Sequence, residues 1–187
     1  KRYLLHFEGC DFYTKVWVNG ELAGSHKGGY ARFTFDVTEL LIPGENRITV
    51  MAEDSYEIRQ PRGKQRWRKE NYGCWYVQTT GIWKTVWLEE VPKLYISGLK
   101  ITPLLKEQAV EIDWEIRGDL EELLEEGQKV FLNLEAGFQG RNISDMKVSV
   151  SRTHGRTRLN VFCDDEDFGE WGILEWKPGE PNLYDLD

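Results

Sequence analysis

Residues 71–89, NYGCWYVQTTGIWKTVWLE, set Trp75, Tyr76, Trp83 and Trp87 around a Thr79-Thr80-Gly81 turn. Such rings offer a flat apolar face for stacking and one polar edge for a hydrogen bond. Just upstream, residues 54–72 hold Arg59, Arg62, Lys64, Arg66, Arg68 and Lys69 with Trp67 among them. Cations interleaved with an aromatic can grip single-stranded nucleic acid through phosphates and base stacking. The same run also reads as a solvated loop, as a loop that docks on an acidic neighbour, or as a binding loop on a rigid β-scaffold. The acidic remainder of the chain and the lack of a nucleic-acid recognition motif weigh against the first of these.

Other chemistry finds less support. The 32 Asp and Glu residues sit in no catalytic frame, and no glycine-rich phosphate loop or nucleophile elbow is present. Residues 164–167 (Asp-Asp-Glu-Asp) and Glu121-Glu122 read as solvated acidic loops, and His6, His26 and His154 are scattered. Cys10, Cys74 and Cys163 are odd in number, widely spaced and without a C-x-x-C pair, which suggests neither a zinc site nor a disulfide framework. They are expected to be buried free thiols in a reducing, cytoplasmic setting. No cofactor and no metal are expected. Asn142-Ile143-Ser144 fits a glycosylation acceptor, a short pattern that usually arises by chance.

The elements that position these residues are strands. After Gly81 the residues alternate, Ile82, Lys84, Val86 and Leu88 on one face and Trp83, Thr85, Trp87 and Glu89 on the other. Trp83 and Trp87 are expected to pack in the core. Upstream, strands are predicted at residues 3–8, 15–18, 21–26, 32–37 and 47–52. A turn is predicted at Gly9-Cys10-Asp11, and Asn19-Gly20 marks a tight hairpin whose central residues need positive φ. Phe33, Phe35 and Val37 should line the inner face, with Arg32, Thr34 and Asp36 in water. Beyond Pro92, strands are predicted at residues 95–101, 109–116, 129–136, 146–150, 158–162 and 172–176, with Trp114 as a core aromatic and residues 120–126 as a short amphipathic turn or an acidic loop. Many short strands with Gly, Asn and Pro turns imply an all-β protein: a jelly-roll-like sandwich at residues 1–91 and an immunoglobulin-like sandwich at residues 92–187.

Charge separates the two parts. Residues 1–91 carry 13 basic and 12 acidic side chains and residues 92–187 carry 11 and 20, so the net charge of −8 comes entirely from the second part. A chain of pI about 5.1 is a poor general partner for nucleic acid or an anionic membrane. No apolar run approaches the roughly 20 residues of a membrane span.

The run 71–89, with Val16-Trp17-Val18-Asn19-Gly20 before it and Trp176-Lys177-Pro178 and residues 181–186 (PNLYDL) after it, resembles the non-catalytic N-terminal half of glycoside hydrolase family 2. That resemblance implies a sugar-binding jelly roll followed by an immunoglobulin-like domain, ahead of a catalytic (β/α)₈ barrel that carries both catalytic glutamates. The chain is then expected to begin inside a larger protein and to lack the acid/base pair that a retaining β-glycosidase requires. In the family the loop before the TTGIW turn leans toward the mouth of the barrel. Carried over by position, Arg66, Trp67, Glu70, Asn71, Tyr76 and Gln78 are candidates to touch sugar, their planar polar groups on hydroxyl pairs and their rings on the C–H face of a pyranose. The family domain has further strands before the equivalent of residues 4–9. Their lack here predicts an open sheet edge and edge-strand self-association.

Three functional readings follow. The chain is the accessory half of a β-glycosidase, working with carbohydrate and with its own barrel; or it is a stand-alone carbohydrate-binding module centred on Trp67 and Trp75; or it is a structural β-sandwich with no sugar role. Motifs spread from residue 3 to residue 186 favour the first.

Overall fold

The computed structural model describes residues 1–56, 59–169 and 172–187, apart from the side chains of Asp165 and Asp167. The chain forms two compact units, Lys1–Pro92 and Lys93–Asp187. Both are built of antiparallel strands.

The first unit runs β1 (Arg2–Phe7), β2 (Cys10–Asp11), β3 (Tyr13–Val18), β4 (Glu21–Lys27), β5 (Phe33–Asp36), β6 (Ile48–Glu53), β7 (Gly81–Ile82) and β8 (Val86–Val91). One sheet is ordered β5-β1-β8 and the other β4-β3-β6, with β2 and β7 as a small third pair. Asn19 and Gly20 turn β3 into β4 at φ 53° and 92°, the left-handed backbone that a two-residue hairpin needs. Leu5, Phe7, Cys10, Val16, Val18, Phe33 and Val37 form the core, with Phe7 and Phe33 stacked at 4.8 Å. The alternation in β5 holds: Phe33 is buried, Phe35 half-buried, and Thr34 and Asp36 exposed. Gly9-Cys10-Asp11 departs from its predicted turn, because Cys10 and Asp11 pair with Ile82 and Gly81 as strand residues.

Packing between the sheets is complete on one side only. There the Phe35 ring lies where a side chain on Gly24 would have to go, 2.3 Å from the position of a Cβ. At the other side, Val86 and Leu88 stand opposite the buried Phe7 and Leu5, yet they are 36% and 50% exposed. Ile48, on the edge strand β6 opposite buried Val18, is 46% exposed. This face of the edge strand β8 is thus uncovered.

The second unit contains β9 (Leu94–Leu104), β10 (Ala109–Gly118), α1 (Leu120–Glu125), β11 (Val130–Phe138), β12 (Arg141–Val150), β13 (His154–Asn160), α2 (Asp165–Phe168) and β14 (Tyr184–Leu186). Its sheets are β13-β10-β9 and β12-β11-β14. Ile112, Trp114, Ile116, Leu120, Leu132, Leu134, Ala136, Val150, Leu159 and Val161 fill the space between them. Trp114 is 5% exposed and lies against Gly155, where a Cβ would come within 2.2 Å of the indole. Of the two options at residues 120–126, the helix forms, because Leu120 can be buried and Leu124 packed on the core from one face of a turn.

Two expectations change here. Residues 172–176 form no strand beyond a bridge between Cys163 and Gly172, because the segment is held by side chains instead. The Leu174 N–H donates to the Tyr184 hydroxyl at 2.9 Å, and Asn182 Nδ2 donates to the Glu175 carbonyl at 3.0 Å. The acidic run at residues 164–167, read as a loop, enters the helical turn α2; Glu166 is exposed there, while Asp165 and Asp167 lie outside the described side chains.

Candidate functional site

The long segment between β6 and β7 starts where β6 ends at Glu53, and its first polar anchor is Asp54. The Asp54 carboxylate accepts from Gln60 Nε2 on one oxygen and from Gln78 Nε2, at 2.5 Å, on the other. Gln78 also donates to the Ser55 carbonyl at 3.0 Å, and Arg62, only 8% exposed, donates to the same carbonyl. One carboxylate therefore gathers both ends of the segment. Above it, two short arms run side by side: Arg66 N–H donates to the Tyr76 carbonyl at 2.8 Å and Tyr76 N–H to the Lys64 carbonyl at 2.9 Å.

The rings collect on these arms. Trp67 meets Trp75 edge-on at 4.6 Å between centroids and Tyr72 at 5.6 Å, and the Arg68 guanidinium lies over Tyr72 at 4.5 Å. Edge-to-face aromatic pairs and a cation over a ring hold such a cluster with modest energy, about 1 kcal/mol per contact. Beside the rings is a cavity of about 400 Å³ lined by Gln60, Arg62, Gly63, Gln65, Trp67 and Trp75.

The structure divides the six candidates. Arg66 and Trp67 are half-buried on one arm, and Arg66 Nη1 donates to Asn71 Oδ1, so Arg66, Trp67 and Asn71 come together. Tyr76 is 63% exposed and Glu70 is also exposed. Gln78 turns inward to Asp54, which makes it a support of the segment, with its amide nitrogen already engaged. Of the three cysteines expected to be buried, Cys10 and Cys163 are; Cys74 is exposed, because it lies on this segment and not in a core.

Trp83 and Trp87 are corrected as core residues, being 50% and 36% exposed. Each is fixed by its polar edge instead. Trp83 Nε1 donates to the Gly29 carbonyl at 2.7 Å, and the ring fills the space beside Gly9, where a Cβ would approach it to 2.9 Å. Trp87 Nε1 donates to Glu8 Oε1 at 2.9 Å while its ring stacks on His6 at 4.0 Å. That bond, with Arg32 on the other oxygen, holds the Glu8 carboxyl below the usual carboxylate range.

Sequence reading missed Asp11, Asp54, Gln60 and Gln65. Asp11 is 7% exposed and its Oδ2 accepts from Gln65 Nε2 at 3.2 Å. Burial pushes its carboxyl up, the Gln65 bond pulls it down, and nearby Asp54 raises it again. A carboxylate between Cys10 and Phe12, inside an apolar run, was the available signal. Among the described residues no group of three or more His, Cys, Asp and Glu could hold a metal ion. Nor is any helix long and apolar enough to cross a membrane.

The family described as glycosyl hydrolases family 2, sugar binding domain, matches residues 1–92. The chain is 38% identical over 191 residues to a Formosa agariphila protein carrying a provisional β-glucuronidase name, covering 100% of this chain and 20% of that protein. It is 34% identical over 199 residues to a β-galactosidase of Thermoanaerobacter pseudethanolicus, covering 100% of this chain and 23% of the relative. In fold it is similar to the apo form of Bacteroides uniformis β-glucuronidase 3, with a TM-score of 0.70, 18% identity, and coverage of 99% of this chain and 22% of that one. The chain spans about a fifth of the length of the curated relatives it matches.

Proposed function

The chain belongs to glycosyl hydrolase family 2, with that family's sugar binding domain at residues 1–92, and from this premise we propose that it is a non-catalytic part of a longer retaining β-glycosidase. In this reading the first unit lends the segment between β6 and β7 to the substrate pocket, and the second unit supports a catalytic barrel elsewhere in the protein. The observation that carries it is the pairing of Trp67 and Trp75 beside Arg66 and Asn71 on a segment tied to the sandwich through Asp54. A ring face suits the C–H face of a pyranose, and the Arg66–Asn71 pair offers planar polar groups to hydroxyls. Trp67, Arg66, Asn71 and Tyr76 are the contact residues in this proposal; Glu70 is available beside them and Gln78 supports them. Substrates of the galactoside and glucuronide classes both fit the names of the relatives. The three free cysteines support a reducing, cytoplasmic setting.

Turnover of a panel of nitrophenyl β-glycosides by this chain alone and by the longer protein tests the reading. An inert chain and an active longer protein whose KM rises on Trp67→Ala is the expected result. Turnover by the chain alone, or a longer protein indifferent to Trp67→Ala, would overturn it. Glycan binding by the isolated chain without any effect on a longer enzyme would instead favour a stand-alone binding module.

A further inference from the structure

Gln65 is the residue where three separate parts of the first unit meet. Its Nε2 donates to Asp11 Oδ2 at 3.2 Å, on the scaffold, and its Oε1 accepts from the Thr79 N–H at 2.7 Å, just before the turn into β7. Its neighbours Lys64 and Arg66 make the two backbone bonds to Tyr76 that hold the arms side by side. Trp67 follows two residues later on one arm, and Trp75 immediately precedes Tyr76 on the other. The two rings meet edge-to-face at 4.6 Å across the arms, so the contact depends on this alignment. Asp11 is a fixed point for the purpose: it is 7% exposed, its backbone pairs with Gly81, and its Oδ1 is pressed toward Gly29, where a Cβ would lie 2.5 Å away.

We infer that Gln65 is the positioning residue of the Trp67–Trp75 shelf, clamping both arms to the buried Asp11. The amide is the right group because one end must donate to a carboxylate while the other accepts from a backbone N–H. A carboxylate at this position keeps the acceptor, loses the donor and faces Asp11 with like charge. The functional weight of the clamp rests on the sugar-contact reading above, whereas its geometric role does not.

The test uses the 187-residue protein and two readouts: the exciton-coupled circular dichroism of the indole pair, and indole N–H resonances titrated with p-nitrophenyl β-D-galactoside and β-D-glucuronide. Gln65→Glu should abolish the coupled dichroism and weaken glycoside binding about tenfold. Asp11→Asn alone leaves an acceptor for Gln65 and should preserve the dichroism. Combined with Gln65→Glu, it restores a donor from the opposite side of the same bond, and the coupled signal should return. Persistence of the signal in Gln65→Glu would overturn the inference, as would a folded double variant that stays uncoupled. If Gln65→Glu erases the dichroism but Trp67→Ala leaves glycoside titration unchanged, the clamp stands and the sugar contact falls. If Trp67→Ala abolishes titration and Gln65→Glu changes neither readout, the clamp falls and the sugar contact stands.

Discussion

The two units are built alike, each from two three-stranded antiparallel sheets over an apolar core, with one further strand pair in the first, yet they use Trp114 and Trp83 differently. The second unit puts Trp114 at its centre, 5% exposed and fitted against Gly155. The first keeps Trp75, Trp83 and Trp87 at 36 to 50% exposure and holds each in place by its edge or by a neighbouring ring. A ring whose faces are both buried contributes stability; a ring fixed by one edge retains a face for a ligand. The contrast is the ground on which the proposed sugar contacts are placed in the first unit; Trp176, 59% exposed in the second unit, stands outside it.

Substitutions can break that contrast. Trp114→Ala should cost the second unit about 3 to 5 kcal/mol, the usual range for removing a buried Trp, whereas Trp67→Ala, which removes two edge-to-face contacts, should cost no more than about 2 kcal/mol. Urea unfolding followed unit by unit reads both, and equal losses would erase the distinction. Gly155→Ala places a methyl where Trp114 already sits and should cost about 1 to 3 kcal/mol. A midpoint unchanged in urea would mean the indole can move aside.

The pH dependence sharpens the comparison. Burial, with the Cys163 thiol beside it, pushes the Tyr184 phenol from 10.0 up to about 12. The fold therefore favours the neutral phenol. Stability from this group is full below pH 10 and is lost as pH rises through about 12. Tyr184→Phe should flatten that loss in the second unit, measured by denaturation between pH 9 and pH 12 on the order of one-unit steps. The smallest expected change lies at the open edge of the first unit. If the uncovered Val86 and Leu88 drive self-association, Leu88→Lys should give a monomer by sedimentation with stability altered by less than about 0.5 kcal/mol. A wild-type protein that is monomeric at every concentration would dismiss edge pairing.

Much of the architecture could be read from local pattern. Alternation in residues 32–37 named the inner face correctly, and Asn19-Gly20 named the hairpin, since both signals act between near neighbours in the chain. Trp114 was legible as a core residue for the same reason. Burial of Trp83 and Trp87 was not, because alternation says which residues share a face and not whether another sheet covers that face. Residues 172–176 looked like a strand, but a single Tyr184 hydroxyl took up the Leu174 N–H that a strand partner would have used.

At the candidate site the division is similar. Residue types alone left the run around Trp67 open between a solvated loop, a docking loop and a binding loop, and the family resemblance put forward Arg66, Trp67, Glu70, Asn71, Tyr76 and Gln78. Tertiary structure alone turned Gln78 inward to Asp54 and joined Gln65 to Asp11, 54 positions earlier in the chain. By itself the sequence determined period, turns and the stock of rings and amides, because those depend on each residue and its neighbours. Which amide clamps and which ring keeps an open face was decided by the fold, because a hydrogen bond needs its partner within about 3 Å and only chain folding brings distant residues that close.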